Sequence, residues 1–256
     1  MKSQIDQRET VVLLHSLGTD RGLWDEQIPV LSEEYQVLLP ESRGHGSSSW
    51  QGPVTVDSWV DDLRDSITAV TTAPVHLVGL SMGGIQAVAV AARHPELVCS
   101  LTVANSFAGL DSTTANARID SIRDGITHHG MADYAEHYLD GALTQPTTPQ
   151  TRTRLLSAIT KMAAEAYIGS AEATFRADNT ALLSHIDCPT VILADELDQK
   201  TPQPLANVLR DGISGAELRV LPGAGHLSNI GAPAAFGETL LQFLARSSRD
   251  ALAETH

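Results

Sequence analysis

Six short apolar runs in this chain carry no polar alternation: "VVLLH" from residue 11, "QVLLP" from 36, "VHLVGL" from 75, "LTVANS" from 101, "TVILAD" from 190 and "ELRVLP" from 217. A strand with one wet face alternates, so these runs suit strands buried on both faces. Between most of them lie helical patterns such as "VDSWVDDLRDSITAV" and "IQAVAVAARHP", the second stopped by Pro95. Strand, helix, strand in succession needs right-handed crossovers. The expected architecture is therefore α/β, a mostly parallel sheet flanked by helices.

One interval breaks the rhythm. From Ser106 to about Ile186 no strand pattern occurs, only Ala-rich helical stretches and the loop "LTQPTTPQTRTR". This predicts a helical insertion over residues 106–186 in a core made of 1–105 and 187–256. Its pieces are "ARIDSIRDGITHHG", "MADYAEHYLDGAL", "TRTRLLSAITKM" and "AEAYIGSAEATFRA". If it sits above the sheet edge, it makes a lid over a substrate pocket.

The run at 75 ends in Gly79-Leu80-Ser81-Met82-Gly83, with a helical pattern directly behind it. A serine in G-x-S-x-G between strand and helix sits on a tight, strained turn that exposes its hydroxyl at the C-terminal edge of a sheet. The glycines fit because a Cβ at either place would collide with a neighbouring strand or helix. The helix N-terminus also presents the Met82 N–H beside the serine, where negative charge develops in acyl transfer.

A nucleophilic serine needs a base and an acid, and here they follow in the order Ser, Asp, His. His226 sits in "LPGAGHLSN", on a Gly-rich loop just beyond the last strand. Of the ten histidines, His15, His45, His76, His94 and His185 stand upstream of the acid, in the wrong order. Asp198, in "ILADELDQKTP", is the favoured acid over its loop neighbours Asp195 and Glu196. Asp195 ends the strand and is better placed to hold the turn, whereas Thr201-Pro202 opens the next helix behind Asp198. The acid would orient the imidazolium without taking its proton. "HSLGTD" follows the first strand and would supply a second oxyanion donor, the Leu17 N–H. "RGHGSSS" from Arg43 lacks the lysine and spacing of a phosphate loop and reads as a turn bordering the pocket.

The charge balance narrows the partners. The formal net charge is −14, and no Lys/Arg-rich run occurs, so nucleic acid and anionic membrane surfaces are poor partners. Cys99 and Cys188 each begin an apolar run and read as reduced thiols. The first residues, "MKSQIDQRETVVLLHS", hold no apolar core of signal-peptide length. A cytoplasmic location is expected, with no metal or cofactor and a small molecule as the partner.

Taken together, "HSLGTDRGLWDEQIP", "RGHGSS", "GLSMGG", "LVCSLTVANS", "DQKTP" and "GAGHLSNI" resemble the α/β-hydrolase superfamily over nearly the whole chain. Within it they look most like the 3-oxoadipate enol-lactonases of protocatechuate degradation. That resemblance implies Ser81, Asp198 and His226 as a catalytic triad, and Leu17 and Met82 as the oxyanion hole. The expected substrate contacts are Trp24, His137, Tyr138 and Arg118; an acid substrate would need a cation, and the insertion offers Arg118, Arg123, Arg152, Arg154, Lys161 and Arg176, most of them expected on solvated helix faces. The chain departs from that pattern in several places. Only ten residues precede "VVLLH", so the usual N-terminal edge strands are expected to be truncated. Glu41 stands where Asp is common and Asp195 where Gly is common. "EHYL" replaces Arg-Trp in the insertion, changing the expected pocket wall.

Three functional readings follow. The first is hydrolysis of an enol-lactone or small carboxylic ester through an acyl-enzyme. The second keeps the serine but changes the chemistry to C–C bond hydrolysis, thioester hydrolysis or perhydrolase activity, which the triad alone does not separate. The third is a non-catalytic ligand receptor on the same fold. A carboxylate nucleophile, as in dehalogenation or epoxide opening, is disfavoured by Ser81.

Overall fold

The computed structural model describes residues 8–253. Its strands are β1 (Thr10–Leu14), β2 (Gln36–Leu38), β3 (Val75–Leu80), β4 (Val98–Ala104), β5 (Thr190–Asp195) and β6 (Glu217–Leu221). Between and after them run α1 (Ile28–Leu31), α2 (Val56–Thr68), α3 (Met82–Arg93), α4 (Ser112–Ala142), α5 (Pro149–Lys161), α6 (Ala164–Phe175), α7 (Gln203–Gly212), α8 (Ser228–Gly231) and α9 (Pro233–Ala253). All six strands pair in parallel, in the order β2-β1-β3-β4-β5-β6.

Alternate residues of each strand serve the two faces. Val11 and Leu13 of β1 join a cluster with Phe236, Leu240 and Phe243 of α9, while Val12 and Leu14 pack with Leu63 of α2, Val88 of α3 and Leu209 of α7. The central strands β1, β3 and β5 are buried throughout, as two covered faces require. The outer strands differ from the expectation of full burial. β2 is only partly buried and Val220 of β6 is 44% exposed, because each lies at a sheet edge with a neighbour on one side alone. The stretch ahead of β1, which bears on the expected loss of edge strands, lies mostly outside the described residues. Among the described residues β2 is one edge of the sheet.

From β1 the chain moves outward to β2, then returns to β3 on the other side of β1 and continues away through β4. The C-terminal ends of β1 and β3 therefore flank a topological switch point, where open α/β sheets bind ligands.

Between β4 and β5 the chain builds α4, α5 and α6. An antiparallel bridge between Gly109 and Asp178 closes the neck of this segment. α4 is broken at Gly130, whose φ of 79° and ψ of 169° suit only glycine, so the two helical pieces read from the sequence meet there at an angle. Leu139, Leu155, Ile159 and Tyr167 are buried in the same cluster as Leu13 and α9, so the segment packs as a continuation of the core. No helix among the described residues is long and apolar enough to cross a membrane.

Candidate active site

The turn from β3 into α3 is as cramped as its glycines imply. A Cβ on Gly79 would strike the Gly83 carbonyl, and one on Gly83 would strike the Leu14 carbonyl of the neighbouring strand. Ser81 itself has φ 56° and ψ −113°, a conformation L-residues avoid at a cost on the order of 1–3 kcal/mol. It is held there from several sides. Its N–H donates to Ala104 O at 2.9 Å, and its carbonyl accepts from Gly84 N at 2.9 Å and Ser106 Oγ at 2.7 Å. Met82 is the first helical residue, so its N–H has no intrahelical acceptor and stands free for a ligand anion.

The loop after β6 brings His226 over Ser81, with Nε2 3.0 Å from Ser81 Oγ and Nδ1 3.0 Å from Asp198 Oδ2. A proton on Nδ1 donated to the carboxylate leaves Nε2 as the acceptor for the serine hydroxyl. Asp198 is fully engaged. Oδ1 accepts from the Lys200 and Thr201 amides at 2.8 and 3.0 Å, and Oδ2 also accepts from Thr201 Oγ1 at 2.5 Å and Asn105 Nδ2 at 3.0 Å. Burial alone would push this carboxyl up, but the bonds from His226, Thr201 and Asn105 and the imidazolium charge outweigh it and hold the pKa well below the ordinary range. Asp195 takes the other role. It accepts from Asn105 Nδ2 at 2.7 Å, its Oδ1 is buried with no partner, and it does not touch His226. Burial pushes its carboxyl up to about 7, opposed by its hydrogen bonds and reinforced by the neighbouring Asp198 charge.

Two remote stretches brace this arrangement. Gln27 Nε2 donates to Asn229 O at 2.8 Å, and Asn229 Nδ2 donates to Leu23 O at 2.7 Å. The Gln of "WDEQIP" and the Asn of "HLSN" thus pin the His226 loop to the segment after β1. Leu227 N donates to Ala142 O at 3.3 Å, tying the same loop to the end of α4.

A cavity of about 640 Å³ opens above Ser81, lined by Leu17 and His226 from the sheet edge and by residues of α4 and α6 from the insertion. Arg118, His137 and Tyr138 line it; Trp24 does not. The Trp24 ring is completely buried, 6.0 Å from the Phe236 ring, and serves the core beneath the loop. The "RGHGSS" turn also misses the cavity. Arg43 is paired with Asp62, and Glu41 accepts from Ser47 N at 2.8 Å, so the turn shapes a separate depression. His15 and His45 are buried against each other, ring centroids 4.9 Å apart, and burial lowers both, His45 to about 3.

The structure adds side chains that sequence reasoning passed over. Asn105 and Ser228 form a buried link, Ser228 Oγ donating to Asn105 Oδ1 at 2.6 Å. Tyr134 and Tyr167 line the cavity with hydroxyls 3.2 Å apart, and Lys200 lies in it with Nζ 4.7 Å above the Tyr138 ring. Asn105 and Lys200 had a signal in the sequence, since each lies just beyond the C-terminal end of a strand. Tyr134 and Tyr167 had none, because nothing local says which face of an Ala-rich helix turns inward. No group of three or more His, Cys, Asp or Glu side chains among the described residues is arranged to hold a metal ion.

Residues 11–239 match the family described as the alpha/beta hydrolase family. The chain is 29% identical to 3-oxoadipate enol-lactonase 1 of Acinetobacter baylyi, over 88% of this chain and 85% of that protein. It is 28% identical to a pimeloyl-(acyl-carrier protein) methyl ester esterase of Neisseria meningitidis, over 95% of each chain. The crystal structure of the enol-lactonase from Burkholderia xenovorans superposes with a TM-score of 0.83 at 28% identity, covering 93% of this chain and 92% of the other.

Proposed function

We infer, from the premise that this chain belongs to the alpha/beta hydrolase family, that it hydrolyses carboxylic esters or lactones through a covalent acyl-serine. The observation that carries the reading is the unbroken line from Asp198 through His226 to Ser81, each step 3.0 Å, opening into the cavity. Ser81 Oγ attacks the substrate carbonyl as His226 Nε2 takes its proton. The oxyanion that forms is met by the Leu17 and Met82 amides, and Asp198 stabilises the imidazolium. Collapse of the tetrahedral adduct expels the alcohol or enol oxygen, which receives the proton from His226. A water molecule, deprotonated by the same imidazole, then attacks the acyl-serine, and the acid leaves as Ser81 regains its proton. No metal or organic cofactor enters these steps.

The likeness to enol-lactonases supports a lactone or other ester with an enol leaving group. An expelled enol tautomerises to its ketone, which makes that cleavage effectively irreversible. The helices over residues 106–186 act as the lid on this pocket, excluding water from the acyl-enzyme until the leaving group has gone. We place this chemistry in the cytoplasm.

Turnover of p-nitrophenyl acetate by the wild-type protein and by Ser81→Ala tests the reading. The wild type should release p-nitrophenol with a burst and the variant should not. Equal rates in the two proteins would overturn the acyl-serine and return the chain to the receptor reading.

A further inference from the structure

Three of the chain's four tyrosines, Tyr134, Tyr138 and Tyr167, line the cavity above Ser81, all from the helical insertion. Tyr134 and Tyr167 form a pair. Their rings meet edge to face with centroids 5.2 Å apart, and their hydroxyl oxygens lie 3.2 Å from one another. The backbone makes room for both rings. Residues 125 and 134 of a straight helix would stand about 13 Å apart along its axis, but the break of α4 at Gly130 brings Tyr134 against Gly125, where a Cβ would lie 3.1 Å from the ring. A Cβ on Gly18, next to Leu17, would strike the Tyr167 ring at 2.5 Å.

Two hydroxyls that share one hydrogen bond have one proton left over. Either can turn its proton into the shared bond, and neither meets another hydrogen-bond partner among the described residues. Enclosure decides between them. Tyr167 is completely buried, so its proton has no acceptor but the Tyr134 oxygen, and leaving it unpaired would cost the desolvation of a polar group. Tyr134 is only half-buried and lines the cavity, so the surplus O–H belongs to Tyr134. A phenol that accepts one bond donates a stronger one. Burial raises the pKa of both phenols, which keeps them protonated at neutral pH, and besides burial only neighbouring tyrosines act on them. A poorly hydrated corner with no ionised neighbour suits an uncharged acceptor.

We propose that Tyr134 is the lid's hydrogen-bond donor to the substrate: its hydroxyl, oriented by Tyr167, binds a second, uncharged oxygen of the ester or lactone, a ketone or ether oxygen remote from the scissile carbonyl. This rests on the hydrolase reading and deepens it. Tyr134 would touch substrate, whereas Tyr167 would act through Tyr134 as a positioning residue. An ester whose remote oxygen is replaced by methylene would leave the Tyr134 proton unpaired against an apolar chain, so the site would discriminate between the two.

The test compares p-nitrophenyl 5-oxohexanoate with the hexanoate, and p-nitrophenyl 7-oxooctanoate with the octanoate, two lengths that place the ketone at different depths. The wild-type ratio of kcat/KM, keto over alkyl, should exceed one in at least one pair. Tyr134→Phe should lower that ratio by about tenfold and Tyr167→Phe by about threefold, since the second removes only the orienting bond. Tyr35→Phe, which deletes the one tyrosine hydroxyl outside the cavity, should leave the ratio unchanged. In parallel, the methyl esters of the same four acids are titrated into the Ser81→Ala protein by calorimetry. The keto ester of the favoured length should bind more tightly than its alkyl partner, and that preference should vanish when Tyr134→Phe is added. A wild-type ratio at or below one in both pairs, a ratio unmoved by Tyr134→Phe, or one moved equally by Tyr35→Phe would overturn the donor role. Ser81-dependent turnover of all four esters without discrimination would overturn the donor role alone. Preferential binding of a keto ester with no Ser81-dependent turnover of any ester would overturn the hydrolase reading and leave the Tyr134 subsite standing.

Discussion

Asp195 and Asp198 accept hydrogen bonds from one and the same nitrogen, Asn105 Nδ2, at 2.7 and 3.0 Å. Two carboxyls joined through a single amide cannot be equally ionised without cost. The surroundings divide them. Asp198 has donors on both oxygens and stays charged, while Asp195 has a buried, unpartnered Oδ1 that suits a proton.

This division makes stability depend on pH. The Asp195 carboxyl is raised in the folded protein to about 7 from a reference of 3.8. Between those values the folded chain holds a proton that the unfolded chain has lost, so this group's effect is to lower stability as pH rises, levelling off above the folded value. Asp195→Asn removes the titration. The stability of the variant relative to wild type should therefore rise from about pH 5 to about pH 8, by on the order of 2 kcal/mol. Thermal melts across that range check it, and a difference independent of pH would show Asp195 to be ionised throughout.

The same two residues should separate in catalysis. Asp198→Asn misplaces the imidazole proton and is expected to lower kcat by two orders of magnitude or more, about as severely as His226→Ala. Asp195→Asn keeps an acceptor for Asn105 and should cost less than about tenfold in kcat. Steady-state kinetics on p-nitrophenyl acetate decide this, and the reverse ranking would make Asp195 the acid.

Glycines of the turn should not behave like glycines elsewhere. Gly83→Ala drives a Cβ into the Leu14 backbone of an adjacent strand and is expected to destabilise by more than about 3 kcal/mol or abolish folding. Gly237 lies within α9 with open space around it, and Gly237→Ala should stabilise by about 0.5–1 kcal/mol. Urea denaturation of the two variants gives both signs.

Trp24 should act on stability rather than on substrate. Its ring is fully buried against Phe236, so Trp24→Ala is expected to cost about 3–5 kcal/mol. A change in KM for p-nitrophenyl acetate with stability intact would return Trp24 to the pocket.

What the sequence by itself determined are the features set by local sterics and chain order. Gly79 and Gly83 stand where a Cβ collides, the apolar runs on either side specify strand and helix, and together they dictate the exposed turn at Ser81. Asp198 and His226 follow because residues beyond parallel strands all emerge at one edge of the sheet. Tertiary structure alone decided what depends on which face of an element meets another. Trp24 and Arg118 are both large side chains in motifs the sequence singled out, yet the packing of α9 on the sheet takes one into the core, and the lie of α4 over Ser81 turns the other into the cavity. Lys200 stands two residues from Asp198 in an exposed-looking loop, and only the insertion, which brings the Tyr138 ring against it, makes its charge part of a pocket. The Ala-rich helices of that insertion have no strongly marked apolar face, so their orientation is chosen by the surface they cover and not by their own pattern.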